Sequence, residues 1–435
     1  MSPPIIGAIG LGVLLIIMFC GMPIGFAMAL VGFVGFAYLV KVAGALNLLA
    51  TIPYATVASS VMSLIPMFVL MGEIIFRARI ATSLYDSANK WLGHLPGGLA
   101  MATVGACAGF AAACGSALAP AAMFAKVSLP EMRKYGYDSS LATGVIAAGG
   151  TLGILIPPSI AFVIMGVMMS QSIGKLLIAG IVPGILLAVL FMLTIYVRCR
   201  LNPRLGPSAA VATWKERLLT LRVVWPILSL FLLVIGGIYL GVFTPTECAA
   251  IGAFGAFVIA LIKRQLNWED FIAAVVSTLE VTAMIFVILI GAYIFGAFLA
   301  ISELPLALAG IASQSGLPPV IVLVIILFVY FILGCISDII SSVVLTIPIF
   351  YPIVVALGFD PIWFGVIVVI IIQMGLITPP IGLNVYVIAG IAKDIPMNTI
   401  FRGIIPFAVA MVVCIAILIA FPQIVLFLPT LMKGR

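Results

Sequence analysis

Two short stretches, Gly153-Ile-Leu-Ile-Pro157-Pro158 and Gly375-Leu-Ile-Thr-Pro379-Pro380, carry the same GxxxPP pattern 222 residues apart. Each lies inside a long apolar run. The same offset superimposes Pro23 on Pro245, Leu95-Pro96 on Leu317-Pro318, and Pro130 on Pro352. It also aligns Gly136-Tyr137-Asp138 with Gly358-Phe359-Asp360, and with one residue added, Gly180-x-x-Pro183 falls on Gly403-x-x-Pro406. A nearly gapless register through so many motifs points to a duplicated chain of two halves.

The surroundings of those motifs fix the solvent. Of the 435 residues 65% are apolar and only 8% charged, with mean hydropathy +1.40. A soluble domain is about a quarter charged, so lipid must surround most of this chain, which has room for roughly ten to fourteen spans. The net charge of +7 sits in short loops between apolar runs, where it sets orientation. No basic stretch is interleaved with aromatics, so nucleic acid is not an expected partner. Ile5–Phe19 lacks a basic leader and a small-residue cleavage site and reads as a first span. The seven cysteines form no CxxC pair and read as small apolar packers. With no HExxH, no GxSxG and His94 as the sole histidine, an enzyme is not expected.

Both halves parse alike into an all-α, polytopic membrane fold. Residues 1–197 give spans at Ile5–Phe19 and Pro23–Val40, an interfacial piece at Asn47–Ser63, and a third span at Leu64–Phe76. A re-entrant hairpin is expected over 97–126, interrupted at Cys114-Gly115-Ser116, because some 30 residues cannot cross twice. A span over 140–168 is expected to break at Gly149-Gly150-Thr151 and at Pro157-Pro158, and Leu176–Val197 closes the half. Residues 198–222 read as a solvated cytoplasmic linker. Residues 223–435 repeat the plan: Val223–Leu240, Cys248–Ile262, an interfacial piece from Trp268, Val281–Leu299, a hairpin over 318–355, a broken span over 362–390, and Ile404–Leu428.

Five crossings plus one hairpin is an odd number, so the second half should insert upside down. Positive-inside counting agrees. With the N-terminus outside, Arg77, Arg79, Lys90, Lys126, Arg133, Lys134, the six cations of Arg198–Arg222, Lys263, Arg264, Lys393 and Arg402 lie inside. Only Lys41, Lys175, Lys433 and Arg435 stay outside, 4 against 16. The expected fold is two inverted-topology repeats, each of about five membrane helices plus one hairpin.

Gly and Pro clusters in mid-span free backbone groups that lipid cannot satisfy, so they belong where the backbone faces protein or a water-filled cavity. Paired hairpins and paired broken spans mark the expected site of a secondary transporter, with carbonyls for a cation and half-helix N-termini for an anion. Sodium suits the oxygens there, since hydroxyls and carbonyls add no buried net charge. The candidate ligands are Gly115, Ser116, Gly150, Thr151, Asp338, Ser341, Ser342, Gly375 and Thr378. Substrate is expected at Ser116, Pro157, Ser159, Thr378, Pro379, Gly382 and Asn384. Asp338, a carboxylate at a hairpin tip, could bind sodium, carry a proton or cap free N–H groups. Glu73 and Glu280 read as span-edge residues reaching water or a partner chain, and His94 is given no role.

Gly149-Gly-Thr-Leu-Gly-Ile-Leu-Ile-Pro-Pro-Ser159 resembles the signature of the large membrane subunit of TRAP (tripartite ATP-independent periplasmic) transporters. Leu129-Pro-Glu-Met-Arg-Lys-Tyr-Gly-Tyr-Asp138, Gly375-Leu-Ile-Thr-Pro-Pro-Ile-Gly-Leu-Asn384 and Ala392-Lys-Asp-Ile-Pro396 are similar to the same family, over essentially the whole chain. The resemblance implies an elevator mechanism, a sodium gradient as the driving force, and location in the bacterial inner membrane. It also implies a small four-helix membrane subunit and a periplasmic substrate-binding protein as separate partners, with an organic acid as cargo. A standalone divalent-anion/sodium symporter of the same design is the competing expectation. No arginine lies in either hairpin tip or broken span, so the anion is expected on helix N-termini, hydroxyls and sodium.

Overall fold

The computed structural model describes residues 2–78, 80–208, 211–314 and 316–432. Among them the chain forms helices and turns and no strand, as backbone surrounded by lipid requires. Among the described residues seven helices are long and apolar enough to cross a membrane, or up to nine if each of two bent pairs counts as one span. Arg79, Lys433 and Arg435, counted above in the charge balance, lie outside the described residues.

Two bodies of helices frame the centre. In one, Trp268–Ile301 lies along Ile24–Leu39 and Leu64–Arg77, and Pro245–Ile262 packs on Leu64–Arg77. Small residues permit the close crossing: a Cβ on Gly25 would stand 2.7 Å from the Val287 carbonyl, and one on Gly32 2.7 Å from the Phe295 backbone. In the other body, a first hairpin (Gly98–Cys114 and Leu118–Lys134) packs on the broken span Ser139–Leu155/Ile160–Met168. A second hairpin (Pro319–Ile336 and Ile339–Ala356) packs on Pro361–Gly375, which is followed by Leu383–Ile391. Ser139–Leu155 is buried on every face from Leu141 to Leu155, which places it at the core of this body. The halves interlock here. Ile160–Met168 rests on Ile339–Ala356, and Leu383–Ile391 rests on Leu118–Lys134.

The structure departs from the sequence reading at four places. First, Gly149-Gly150-Thr151 does not break its span; the helix runs on to Leu155 and the interruption is confined to residues 156–159. Glycine costs a helix only about 1 kcal/mol, whereas proline removes a donor outright. Second, Trp268–Ile301 is one 34-residue helix with no separate interfacial piece. No proline interrupts it, whereas the first half carries Pro53 and a 3-10 turn at Ser60–Ser63. Third, the first hairpin does not end at Lys126; its second arm continues to Lys134, giving two arms of 17 residues each. The arms of the second hairpin have 18 each and are long and apolar enough to cross a membrane.

Fourth, the linker is docked rather than free. Gly97 N donates to Gly206 O at 3.0 Å and Asp138 N to Leu205 O at 3.0 Å. The Tyr137 hydroxyl donates to Pro207 O at 2.8 Å and accepts from Leu99 N at 3.1 Å. Burial pushes that phenol up to about 12, so it keeps its proton. Beyond Pro207 a new helix, Trp214–Tyr239, begins with a capping box. Its Glu216 meets Lys90 at 3.6 Å, and its Arg217 lies over the rings of Trp91 and Trp214, 3.5 Å from His94 Nδ1. His94 thus helps hold the linker to the helix Ile80–Leu92 and the loop after it.

Candidate substrate cleft

Each hairpin tip is shaped by one residue. At the first, Gly98–Cys114 ends on Gly115 in the left-handed region (φ 63°). A Cβ there would also stand 2.8 Å from the Pro158 carbonyl, so both backbone angle and space require glycine. Gly153 performs the matching service: a Cβ on it would collide with the Ser116 carbonyl. The tip therefore rests, backbone on backbone, against the end of the broken span. At the second tip the carboxylate of Asp338 accepts from Ile340 N at 3.0 Å and Ser341 N at 3.2 Å, capping Ile339–Ala356. Gly375 here meets Gly334 and the Cys335 amide nitrogen, with a Cβ only 2.7 Å from the latter.

The breaks differ in the opposite order. Ser159 is fully buried and its hydroxyl accepts from Phe162 N at 3.5 Å, capping Ile160–Met168. Gly382, left-handed at φ 67°, precedes Leu383–Ile391 and supplies no side-chain cap. Asn384, fully buried, donates through Nδ2 to Ala147 O at 3.2 Å across the two halves, while its Oδ1 has no partner.

A cavity of about 400 Å³ opens between the two bodies. The first tip contributes Gly115 and Ser116, and the second contributes Asp338. Its wall also includes Leu118, Ile160, Ile339 and Leu383, the first residues of four helices. Four helix N-termini therefore gather at one cavity, each carrying a partial positive charge, with Ser159 and Asp338 already accepting from N–H groups at two of them. Two of the four, Leu118–Lys134 and Leu383–Ile391, lack a side-chain cap. The opposite wall comes from the other body, with Glu73 and Phe76 of Leu64–Arg77 and Met284 of Trp268–Ile301.

Of the residues singled out from sequence, Gly115, Ser116 and Asp338 line this cleft. Gly150, Thr151, Pro157, Ser159, Ser341, Ser342, Gly375, Gly382 and Asn384 are buried in the body that carries the tips. Thr151 donates to Ala148 O at 2.6 Å, a bond within its own helix. Thr378 and Pro379 line a separate apolar groove with Phe331 and Phe401, and the Thr378 hydroxyl donates to Met374 O at 2.9 Å.

Sequence alone makes Glu73 a span-edge residue reaching water or a partner chain and does not single out Gln373. Glu73 faces the cleft, 3.6 Å from Arg77 one turn away; the i, i+4 spacing was visible, but the direction of that face was not. Gln373 is fully buried and neither its Oε1 nor its Nε2 has a partner. The 222-residue offset sets it on Thr151, and that alignment was the available signal.

The family model for the DctM component of the tripartite ATP-independent periplasmic transporters matches residues 11–424. The C4-dicarboxylate TRAP transporter large permease protein DctM of Pseudomonas aeruginosa is 35% identical over 84% of this chain and 85% of its own length. The sialic acid large permease SiaM of Vibrio cholerae is 31% identical over 96% and 97%. The ectoine/5-hydroxyectoine large permease UehC of Ruegeria pomeroyi is 35% identical over 84% and 85%. Among solved structures, the Alcanivorax borkumensis YdaH transporter shares the fold, with a TM-score of 0.62, 16% identity, and coverage of 88% and 90%.

Proposed function

Because this chain belongs to the DctM-component family of tripartite ATP-independent periplasmic transporters, we propose that it is the translocating subunit of a sodium-driven carrier for a small organic acid. Its relatives' names span C4-dicarboxylates, sialic acid, ectoine and 2,3-diketo-L-gulonate, and the cargo here is of that size and acidity. In this reading a periplasmic binding protein delivers the solute, a small four-helix subunit packs on the chain in the bacterial inner membrane, and neither hydrolyses ATP.

The observation that carries the proposal is the convergence of four helix starts on one cavity. An anion there meets N–H groups and aligned dipoles without a buried cation. Sodium completes the balance. The unpartnered oxygens of Ser342, Gln373 and Asn384, with Asp338 and the tip carbonyls, are the hard neutral and anionic donors such an ion takes.

The two halves, 1–197 and 223–435, act as inverted repeats joined by 198–222. Hairpins and broken spans move as one body against the helices around Trp268–Ile301, carrying the cleft across the membrane. The close glycine crossings within each body and the cavity between them support that division.

Reconstitution with the small subunit in liposomes tests the reading. Uptake of a radiolabelled organic acid should require both an inward sodium gradient and the binding protein. Uptake independent of the binding protein would replace it with a standalone symporter, and uptake following protons alone would remove sodium from the mechanism.

A further inference from the structure

Away from the cleft, three buried N–H groups face no acceptor. Among the described residues Trp91 Nε1, Arg198 Nη1 and Arg217 Nε are closed to solvent and have no hydrogen-bond partner, a costly state for a charged donor. All three lie where the linker docks. The Arg217 guanidinium stands 6.0 Å from the centre of the Trp91 ring and 5.1 Å from that of Trp214. Arg198 sits between Ile195 and Cys199, the two side chains that press on Gly97 in the loop after Trp91. Among the described residues neither arginine has a carboxylate partner. Glu216, beside Arg217 in the chain, accepts from Thr213 N at 2.9 Å and meets Lys90 at 3.6 Å instead. Residues 80–97 and 198–222 together hold seven lysines and arginines against two acids, Asp86 and Glu216. Orientation by charge asks for cations on this face, but it does not ask that their N–H groups be buried without acceptors.

An apolar stripe runs beside these donors. Trp214, Leu218, Leu221 and Trp225, spaced i, i+4, i+7 and i+11 on one helix, are all exposed. Arg217 borders the stripe on one side and Arg222 on the other, the pattern of a helix start lying among the headgroups of an anionic leaflet. A ligand here needs acceptor oxygens, a net negative charge and an apolar tail. The geometry points to a binding site for the phosphate of an anionic phospholipid. Its oxygens accept from Arg217, Arg198 and Trp91, and its acyl chains lie along Leu218, Leu221 and Trp225. Bound there, the lipid ties the start of Trp214–Tyr239 to Ile80–Leu92, the helix that leads into the first hairpin. None of these residues lines the cleft, so the site is independent of the cargo proposed above.

Native mass spectrometry tests the site. The complex of large and small subunits, stripped of lipid in a neutral detergent, is offered equimolar dioleoylphosphatidylglycerol and dioleoylphosphatidylcholine. The wild-type complex should retain phosphatidylglycerol with about tenfold preference, the ratio one charge-assisted hydrogen bond supplies. Arg217→Gln should cut that preference to about twofold; where this variant does not fold, Arg198→Gln carries the same expectation. Lys134→Gln removes an exposed cation elsewhere on the face that the charge count assigns to the cytoplasm, and it should keep the full preference. Equal retention of the two lipids by the wild type would overturn the inference, a result that needs no variant. So would a preference that survives both arginine substitutions, or one lost equally in Lys134→Gln, which would mean diffuse attraction to the whole face. Millimolar inorganic phosphate, which has no acyl chains, should leave the bound lipid in place. Its complete displacement would make this a site for free phosphate and overturn the lipid.

Discussion

The two hairpin tips occupy equivalent places in the sequence repeat and solve the same problem with opposite chemistry. The first turns on a left-handed glycine and starts its second arm from Ala117, whose backbone is helical and whose side chain caps nothing. The second turns through Ser337 and starts its second arm from Asp338, which satisfies two backbone N–H groups. An uncapped start retains its N–H donors for a ligand; a capped one has spent them on its own carboxylate. At equivalent positions of the 222-residue echo, the first tip therefore presents an uncapped helix start and the second a self-capped start that bears a carboxylate. The breaks repeat the lesson in reverse, with Ser159 capping in the first half and Gly382 leaving its helix open in the second.

The sharpest way to break the comparison is to separate tip from span. Gly153→Ala forces a Cβ into the Ser116 carbonyl, and backbone on both sides cannot yield by a side-chain rotation. Uptake should fall below about a tenth of wild type, and the melting temperature should drop with it, as overpacked cores lose about 1–3 kcal/mol. Gly12→Ala, where a Cβ meets nothing within 4 Å, is the control and should keep both. Normal uptake in Gly153→Ala would mean the first tip does not rest on this span during transport.

Next in size is the capping acid. Asp338→Ala removes both bonds to Ile340 and Ser341 and should destabilise by about 1 kcal/mol, the usual worth of an N-cap. Asp338→Asn should cap nearly as well, so its thermal stability should remain close to wild type. Its sodium dependence should weaken, because a neutral amide binds a cation less well than a carboxylate. If sodium dependence survived in Asp338→Asn while pH dependence vanished, the acid would be a proton carrier instead. The pair of variants, read by melting and by uptake against sodium concentration, separates structural from coupling roles at the second tip.

At the first tip the expected effect is smaller. Ser116 contributes one hydroxyl to the cleft, and a hydrogen bond is worth about 1 kcal/mol. Ser116→Ala should raise the half-saturating solute concentration about fivefold and leave the melting temperature unchanged. An unchanged concentration dependence would place the solute away from this tip.

These expectations also show what the sequence could carry. Proline pairs and their 222-residue echo announce breaks, because proline has no N–H to give in any packing context. The turn of the first hairpin could be placed at Gly115, whereas the length of its second arm could not, because that arm runs on to Lys134. By contrast, the continuity of the helix through Gly149-Gly150-Thr151 depends on neighbours: Cys107, Ala117 and Ala121 lie against those glycines and hold the helix closed. The orientation of Glu73 depends on how its helix is rotated, and each residue turns the face by about 100°. Thr378 and Pro379 sit in the echoed motif yet border a different groove from Gly115 and Ser116. Sequence symmetry located the breaks but could not say which side of each break faces the cavity.

The least dramatic prediction concerns a contact that the repeat does not duplicate. Arg133, near the end of the first hairpin, meets Asp394, just after the second broken span, at 2.8 Å. The Arg133 guanidinium, through its hydrogen bond to the carboxylate, holds Asp394 below the usual carboxylate range. A carboxylate whose folded value is depressed adds stability above its unfolded value of about 3.9, and that contribution is lost as pH falls through the folded value. Both side chains are open to solvent, so screening keeps the effect small. Arg133→Gln should lower the melting temperature slightly at pH 7 in low salt, less in high salt, and not at all at pH 2. A difference between variant and wild type that persisted unchanged at pH 2 would show that Arg133 acts through packing, and the two halves would then be joined at this face by something other than charge.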